Sequence, residues 1–431
     1  MRPESILIPV IRQVLKRPKL ADALFSRDKW GNQLGPERYA WPYPGYELMR
    51  AEGPVAWHRL YNSWFVTGYE EARTVLNSPD GRTAAQLEML LDVTPYTKLN
   101  KTAIDIFKLF LLLVDPPAHT RLRSLVSRTF TPRQMSRLEP AIAKLVGELL
   151  DAVEDDDEVD LMPALAKPLP VQVIAELIGV PRERWAWMQG ASTEVVKLLN
   201  PFVGFDHYAM NDTFDEIDRY FRALADERRA EPTDDLLTSL ATVEVEGERL
   251  TDTEVVAMTV FILFAGHETT TGLIGTSLLA LARHPDQRDR LAAEPELWDT
   301  ALDELVRFDP PVQTDTRRLT ADTELGGVTV KADQSVAIML GACNRDPRVF
   351  TDPDVLKLDR RESPPLSFGH GLHYCIGANL ARLELRIAIQ AVLARFGAFT
   401  IDEERVTWSN GLVARQATEL PVKRDVAAAT A

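Results

Sequence analysis

The stretch that decides the fold is FGHGLHYCIG, residues 368–377. It places Cys375 directly before residues 378–396, where apolar side chains recur at helical spacing. A cysteine at a helix N-terminus lies beside unpaired amide N–H groups and the positive end of the helix dipole, and both favour the thiolate. Glycines on either side of the sulfur leave room for a large flat partner to approach it.

Two plainer interpretations compete for this stretch. A lone cysteine in a glycine-rich turn is often a small buried hydrophobic residue. Alternatively, His370, His373 and Cys375 could bind zinc, although a zinc site needs a fourth protein ligand or an open catalytic position. No second cysteine or histidine cluster flanks the stretch in the sequence.

The bulk composition restricts the class of protein. The chain has 431 residues, 45% of them hydrophobic, and a net charge of −15. Length alone suggests two or three domains, although one large domain is allowed. The acidic balance argues against nucleic-acid binding, which needs a basic surface. It fits a cytoplasmic protein. The only other cysteine in the sequence, Cys343, follows an apolar run and is predicted to be a buried core residue. With two cysteines, no disulfide framework is expected.

No membrane anchor is predicted. Residues 5–12 are apolar but short, and they contain Pro9 and Arg12. The longest apolar run, residues 255–266, is shorter than the roughly 20 residues that span a bilayer.

A long helix is predicted from Thr251 to about Arg283. It is apolar nearly all round, which is typical of a buried helix. The sequence AGHETT at residues 265–270 interrupts it with polar groups. A carboxylate in a buried helix is costly unless it is paired or hydrated, so Glu268 is a candidate functional residue. A water-satisfied carboxylate at a structural kink remains the alternative.

A second polar cluster begins at Asp115-Pro116-Pro117, which predicts a helix start with Asp115 as the capping acid. The helix should run to about residue 130. His119 and Arg123 are four residues apart and therefore point from one face. Taken alone, such a pair is more often a solvated basic face than a binding site.

The remaining elements are predicted from local patterns. Residues 54–57 and 64–67 predict a β-hairpin, and residues 79–102 predict a long loop. Residues 297–308 predict a helix that ends at Asp309-Pro310-Pro311. Further strands are predicted at residues 314–319, 328–330 and 335–340, and a terminal hairpin at residues 408–421 with its tip near Leu412-Val413.

Four motifs together resemble one family. The stretch at Cys375 fits the pattern Phe-x-x-Gly-x-His-x-Cys-x-Gly at every fixed position. Residues 265–270 fit Ala-Gly-x-Asp/Glu-Thr-Thr, residues 304–307 fit Glu-x-x-Arg before Pro-Pro, and residues 115–123 fit Asp-Pro-Pro-x-His-x-x-x-Arg. These are motifs of the cytochrome P-450, or haem-thiolate monooxygenase, superfamily, and the chain resembles its soluble bacterial members from about residue 54 to residue 421.

The resemblance implies a mainly α (α+β) fold, a triangular helical domain with a small β-rich lobe. It implies one haem-thiolate monooxygenase domain over residues 1–431, with an irregular lead-in to about residue 45 and a frayed tail at residues 426–431. Glu304 and Arg307 would bind an arginine or histidine of a later loop and hold the cysteine segment.

The resemblance also implies site residues. Cys375 would be the axial ligand of the iron of haem b, and Glu268 and Thr269 would relay protons during oxygen activation. Four side chains would hold the haem propionates: His119, Arg123, Arg317 and His373. Three further residues would contact the cofactor: Ala265, Phe368 and Gly377. Arg318, next to Arg317, would point to the other face of its strand.

The implied reaction is the hydroxylation or epoxidation of a hydrophobic small molecule by dioxygen. Electrons would come from a ferredoxin and an NAD(P)H-linked reductase, and the protein would be a monomer. A peroxide-driven haem-thiolate enzyme is one rival, disfavoured by the Glu268–Thr269 pair; a non-catalytic haem or ligand-binding protein is another. Substrate choice would lie with residues 79–102, 202–208, 261–265 and 312–314.

Overall fold

The computed structural model describes residues 39–59, 61–91, 96–128, 130, 137–199, 205–245, 247–409 and 415–424. Most of the expected lead-in, the expected tail at residues 426–431 and the expected hairpin tip at Leu412-Val413 lie outside these ranges. The first of the helices given below begins at Tyr43, inside the segment that was expected to be irregular.

Fifteen α-helices are assigned within the described residues. They are α1 Tyr43–Arg50, α2 Tyr69–Asn77, α3 Ala84–Leu91, α4 Lys101–Phe107, α5 Ala118–Ser127, α6 Glu139–Asp151, α7 Pro168–Ile178, α8 Trp185–Val196, α9 His207–Ala230, α10 Leu236–Thr242, α11 Asp252–Arg283, α12 Pro285–Ala293, α13 Trp298–Phe308, α14 Leu340–Cys343 and α15 Ala378–Phe396. The predicted helices that end at residues 283, 308 and 396 are confirmed.

Short strands connect these helices. They are β1 Val55–His58, β2 Ser63–Val66, β3 Gly81–Arg82, β4 Glu158–Asp160, β5 Glu244–Val245, β6 Glu248–Arg249, β7 Asp315–Leu319, β8 Thr323–Leu325, β9 Val328–Val330, β10 Ser335–Ile338, β11 Phe399–Ile401, β12 Thr407–Trp408, β13 Ala417–Glu419 and β14 Pro421–Arg424. The predicted first hairpin is confirmed as the antiparallel pair β1–β2. The hairpin β8–β9 turns at Gly326-Gly327, and its strand β8 was not predicted.

The chain forms two compact units. The described residues of the first unit lie within 82–138 and 171–267, and those of the second lie within 39–81, 139–170 and 268–424. Helix α11 passes from the first unit to the second between His267 and Glu268. Each unit has its own buried core.

The first unit is mainly helical. The start of α11 is fixed by a reciprocal capping box, in which Thr251 Oγ1 accepts from the Glu254 N–H and a Glu254 carboxylate oxygen accepts from the Thr251 N–H. Further along α11, the ring of Phe110 packs on Phe261 and stacks on Phe264, with ring centroids 5.8 and 5.9 Å apart. Aromatic pairs at this distance add to the stability that burial supplies.

The second unit contains the sheets and the cysteine segment. Strands β1, β2, β10 and β7 lie side by side in that order, with β10 parallel to β2 and antiparallel to β7. Val66, Val336 and Ile338 on these strands are fully buried with Tyr69 and Cys343. The prediction of a buried Cys343 is therefore confirmed, and burial raises the pKa of its thiol.

The prediction of a long loop at residues 79–102 is wrong. Helix α3 occupies Ala84–Leu91, a 3₁₀ turn occupies Tyr96–Lys98, and α4 begins at Lys101. The sequence of α3 is AAQLEMLL, which consists of good helix formers. The turn residues around Pro79 and Pro95 obscured that short run.

The prediction that Asp115 caps its own helix is also wrong. The residue before α5 is Pro117, which makes no side-chain cap. The Asp115 carboxylate instead accepts from the N–H groups of Thr83, at 2.9 Å, and Ala84, at 3.2 Å. Asp115 therefore satisfies amide groups at the start of α3, a partner that lies more than 30 residues away in the sequence.

One described helix, α11, is long and apolar enough to pass a length-and-composition test for a membrane span. Of the apolar 18-residue stretch of this helix, 78% is buried inside the protein. Such burial is typical of a core helix, and the prediction of a long buried helix over residues 251–283 is confirmed.

Candidate active site

Cys375 is exposed in the described structure and lies three residues before α15. Its N–H donates to the Phe368 carbonyl oxygen at 2.8 Å, which closes the loop on itself. Gly371 has φ +70°, and a Cβ there would lie 2.8 Å from the Leu76 carbonyl oxygen, so a larger residue would disturb the loop. A Cβ at Gly377 would meet nothing within 4 Å, which leaves open space beside the sulfur.

A cation–π contact fixes the start of the loop. The guanidinium carbon of Arg382, on α15, lies 4.3 Å from the ring centroid of Phe368. Arg382 in turn donates to Asp303 on α13 at 2.7 Å. The guanidinium that packs on the Phe368 ring is therefore itself held by an acid of α13.

The Glu304–Arg307 pair supports the loop from α13. Arg307 donates to both carboxylate oxygens of Glu304, at 2.6 and 2.9 Å, and both side chains are 1% exposed. Arg360, in the segment that leads to the cysteine loop, donates to the same carboxylate at 3.0 Å. The predicted bond to an arginine of the later loop is confirmed, with Arg360 as that arginine.

Asn344 adds a second support. Its amide nitrogen donates to Ser367 Oγ at 2.7 Å, and its amide oxygen accepts from the Leu366 N–H at 2.7 Å. Ser367 Oγ donates to the Val306 carbonyl oxygen at 2.7 Å. The turn before the cysteine loop is therefore bonded to both α13 and the segment after β10.

Glu268 and Thr269 lie half-buried on α11, which is continuous through them. Burial raises the pKa of the Glu268 carboxyl above its usual range, and the Lys167 ammonium lowers it in part. Lys167 Nζ donates to the Thr418 carbonyl oxygen at 2.9 Å, which holds the ammonium near this turn. The geometry gives a carboxyl group that retains a proton to higher pH than a solvated glutamate.

Arg317 is 3% exposed on β7, and its guanidinium donates to Asp315 at 2.6 Å and to the Thr316 carbonyl oxygen at 2.8 Å. Arg318 is half-buried on the other face of the strand. Arg317 therefore faces the interior of the unit, and its expected role toward a haem propionate stays a prediction.

Three of the predicted residues belong to the first unit. His119 is 1% exposed on α5, and Arg123 follows it by four residues on the same helix face. Ala265 is half-buried on α11. Beside it, a Cβ at Gly266 would lie 2.8 Å from Ile174 Cδ1, so α7 packs directly on the glycine.

The first unit also contains an open cavity of about 580 Å³. It is lined by α3 and by the segment that precedes α5, with a mainly apolar wall and three charged side chains: Ala84, Leu87, Glu88, Leu91, Lys108, Leu113, Val114 and Asp115. Half of these residues fall in the segment 79–102, which was expected to influence substrate choice.

The zinc interpretation gains no support. Across the described ranges, no three His, Cys, Asp or Glu side chains are grouped closely enough to hold a metal ion, and His370, His373 and Cys375 are included in those ranges.

Comparison with known proteins identifies the class. Residues 183–419, more than half of the chain, match the family model described as Cytochrome P450. Vitamin D(3) 25-hydroxylase of Pseudonocardia autotrophica is 38% identical over 407 residues, which cover 93% of this chain and 95% of that protein. The chain belongs to the cytochrome P450 family and is an oxidoreductase of the bacterial monooxygenase type.

Other similar proteins agree on fold and family. Cytochrome P450 monooxygenase PikC of Streptomyces venezuelae is 37% identical over 406 residues, 90% of this chain and 92% of that protein. The structure of P450BioI, solved in complex with a hexadec-9Z-enoic acid ligated acyl carrier protein, superposes with a TM-score of 0.82 at 32% identity, covering 90% of this chain and 99% of that one. The predicted fold class is confirmed.

The family implies a haem cofactor, and the cysteine loop fits one. An exposed sulfur lies at the start of a helix, open space lies at Gly377, and an aromatic ring and a buried ion-pair network fix the loop around it. A soft sulfur donor with one open side suits an iron porphyrin. Sequence reasoning missed Arg360, Arg382 and Lys167, because their partners are set by tertiary contacts and no local pattern marks them.

Proposed function

We propose that this chain inserts one oxygen atom from dioxygen into a hydrophobic small molecule, by hydroxylation or epoxidation, with haem b bound through the Cys375 thiolate. The observation that carries the proposal is the cysteine loop itself. Its sulfur is exposed, its backbone is closed at Phe368, and its flanks are tied to α13 by Glu304, Arg307 and Arg360. Such a loop holds a ligand sulfur in place, and thiolate ligation supplies the electron density that favours O–O cleavage.

The propionate groups would be held by His119, Arg123, Arg317 and His373. A buried dianion needs charge-assisted hydrogen bonds, and arginine supplies a planar fork of donors for them. His119 and Arg317 are each buried within their own unit, and each carries nitrogen atoms that can donate a charge-assisted hydrogen bond to a carboxylate. Ala265, Phe368 and Gly377 would form the apolar and open contacts to the ring.

Glu268 and Thr269 would move protons during turnover. Burial raises the pKa of the Glu268 carboxyl, so this group retains a proton to higher pH than a solvated glutamate and can pass it to the hydroxyl oxygen of Thr269. Lys167 would limit that rise, because its ammonium favours the carboxylate. The proposed sequence is therefore proton uptake at the Glu268 carboxyl, transfer to Thr269 Oγ1, and donation from that hydroxyl toward the reacting oxygen.

The remaining cellular context is part of the same proposal. A ferredoxin and its NAD(P)H-linked reductase would supply electrons, the chain would act as a monomer, and it would work in the cytoplasm. The charge of −15 and the bacterial relatives support a cytoplasmic site.

The substrate would be an apolar molecule, as the mainly apolar wall of the 580 Å³ cavity suggests. Relatives differ in the molecules their names specify, so a panel is required. It should contain vitamin D3, a macrolide, a steroid, a terpene and hexadec-9Z-enoic acid, the last both free and bound to an acyl carrier protein. Spectral shifts of the purified protein would show which class it binds.

The test of function is oxygen incorporation. With ¹⁸O₂, a ferredoxin and its reductase, a substrate from the panel should gain one labelled oxygen atom. Product that forms only when hydrogen peroxide is added, and that carries the unlabelled oxygen of the peroxide, would favour the peroxide-driven rival. No product with any bound ligand would favour a binding protein.

The proton relay has its own test. Thr269→Ala should divert electrons to hydrogen peroxide, so that product formed per NAD(P)H falls while consumption continues. Thr259→Ala is the matched control, because Thr259 lies on the same helix and its hydroxyl donates to the Val255 carbonyl oxygen. Equal coupling in the two variants would contradict the relay.

A further inference from the structure

A second buried ion pair lies in the second unit, away from the cysteine loop. Arg415 Nη1 donates to Asp309 at 2.5 Å, and the two side chains are 2% and 5% exposed. Arg415 also donates to the carbonyl oxygens of Tyr39, at 2.8 Å, and Ala40, at 2.6 Å, and its guanidinium lies 3.7 Å from the Trp408 ring centroid. The guanidinium therefore contacts three different parts of the unit: Asp309, the segment Tyr39–Ala40 and Trp408.

Asp309 connects this pair to two helices. Its other carboxylate oxygen accepts from the Tyr43 hydroxyl of α1 at 2.7 Å. Its carbonyl oxygen accepts from Thr276 Oγ1 of α11 at 2.9 Å. The residue that ends α13 is thus fixed both by its side chain and by its backbone.

The backbone at Arg415 lies directly on α11. The Arg415 N–H donates to the Pro311 carbonyl oxygen at 2.6 Å, which joins the two segments. A Cβ at Gly272 would lie 2.9 Å from Pro311 Cβ and 3.1 Å from the Arg415 carbonyl oxygen. The close approach therefore requires a glycine at this position of the helix.

The face of α11 that lies against Pro311 and Arg415 also carries Thr269 of the proposed proton relay. Thr269, Gly272 and Thr276 are spaced by three and four residues and so lie along one face of the helix. Pro311 is followed at once by residues 312–314, one of the segments expected from the family resemblance to influence substrate choice. Gln313 in that segment is 5% exposed and accepts from the Tyr46 hydroxyl at 2.8 Å.

We infer that Asp309 and Arg415 are positioning residues for the monooxygenase reaction: their ion pair sets the distance between the Glu268–Thr269 turn and the segment 312–314. This inference rests on the proposed function for its consequence, since the segment matters only if it faces substrate. The pair governs where on a bound molecule oxygen is delivered, through backbone position and without contact to the substrate.

The energetics support a geometric role. Removing charges from water costs more than an ion pair usually returns, so buried pairs are weak evidence for stability alone. Here the bonds from the pair to the rest of the unit end on the backbone carbonyls of Tyr39 and Ala40 and on the helix side chains of Tyr43 and Thr276. Catalytic sites tolerate displacements of well below 1 Å.

Two ligands of the haem iron can report a change in the distance between the Glu268–Thr269 turn and the segment 312–314. Imidazole and 4-phenylimidazole should bind the haem iron alike, but the phenyl group must also fit against segment 312–314. In Asp309→Asn and Arg415→Lys the dissociation constant of 4-phenylimidazole, measured by spectral titration, should rise by about tenfold relative to that of imidazole. Gly272→Ala should shift the same ratio, although alanine is the better helix former.

Amide hydrogen exchange provides a readout that needs no haem ligand. In Asp309→Asn and Arg415→Lys, the amides of residues 312–316 and 415–419 should exchange about tenfold faster, while those of α15 keep their wild-type rates. Glu403→Gln is the control, because its pair with Arg283 at the end of α11 has side chains 49% and 29% exposed. It should change neither exchange nor the probe ratio.

The outcomes separate cleanly. Unchanged probe ratios in Arg415→Lys and Gly272→Ala, with unchanged exchange, would overturn the inference even if Asp309→Asn failed to fold. A uniform acceleration of exchange across the unit, with an unaltered ratio, would overturn it in favour of a purely structural pair. If neither imidazole nor 4-phenylimidazole changes the absorption spectrum of the wild-type protein, the proposed haem site is wrong instead. Hydrogen exchange then still tests whether the ion pair fixes residues 312–316 and 415–419.

Discussion

The cysteine loop and the segment from Thr83 to Asp115 are both places where a ligand would be held, yet they are built differently. The loop is fixed by buried charges, with Glu304 and Arg307 each 1% exposed and Arg360 bonded to the same carboxylate. The segment is fixed by one half-buried aspartate that bonds to amide groups, and it borders an open cavity. The difference indicates that the cysteine loop depends on buried charges, whereas the segment from Thr83 to Asp115 depends on hydrogen bonds to one half-buried carboxylate.

The largest effect should come from breaking the buried pair. Glu304→Ala leaves Arg307 and Arg360 without their carboxylate, and removing one partner of a buried pair costs about 3–5 kcal/mol. The free energy of unfolding, measured in urea, and the haem content of the purified protein should therefore both fall sharply. The control is Glu70→Ala, whose pair with Arg73 is 64% and 42% exposed and should contribute roughly 0.5 kcal/mol at most. Similar losses in the two variants would contradict the dependence of the cysteine loop on buried charges.

A pH-dependent effect should follow from Glu384 on α15, the helix after the loop. Burial raises the pKa of its carboxyl well above the usual value of 4.5. The native state therefore binds a proton that the unfolded state releases. The contribution of Glu384 to the free energy of unfolding is greatest below pH 4.5 and is lost as the pH rises through the native pKa. Each pKa unit of the shift corresponds to about 1.4 kcal/mol.

Urea unfolding between pH 4 and 8 would measure this slope. Glu384→Gln should flatten it, because glutamine does not titrate. Glu148→Gln, a change at a more exposed glutamate of α6, should leave the slope unchanged. A wild-type slope that persists in Glu384→Gln would assign it to other groups.

A smaller and local effect is expected in the segment from Thr83 to Asp115. Asp115→Ala removes the acceptor for the Thr83 and Ala84 amides, and loss of a helix cap costs about 1 kcal/mol. Hydrogen exchange over residues 83–91 should quicken while the amides of residues 366–378 keep their rates. Equal acceleration of exchange in residues 83–91 and in residues 366–378 would contradict a local effect.

The same contrast explains what the sequence could predict. The helix that ends at Phe396 and the lock residues Glu304 and Arg307 are marked by local periodicity and by short motifs. The third lock residue, Arg360, and the ion pair of Asp309 with Arg415 have no local signal, because their partners lie 56 and 106 residues away. Local patterns record neighbours along the chain, and these bonds depend on tertiary packing.

The errors have the same origin. Asp115 precedes two prolines, and the local pattern assigns it to the helix that follows, whereas its carboxylate binds a helix 31 residues earlier. Helix α3 was missed because turn residues surround a short run of helix formers. The side chain of Lys167 could not be connected with Glu268 from the sequence, since it reaches the site from the turn before α7.

The central claim, that Cys375 is the thiolate ligand, is tested most directly by the absorption spectrum of the reduced, CO-bound protein. The chain contains a matched control in Cys343, which is fully buried in the second unit. Cys343→Ala should keep the red-shifted Soret band that is typical of thiolate ligation, and Cys375→Ala should lose it. An unchanged thiolate-type spectrum in Cys375→Ala would contradict the account.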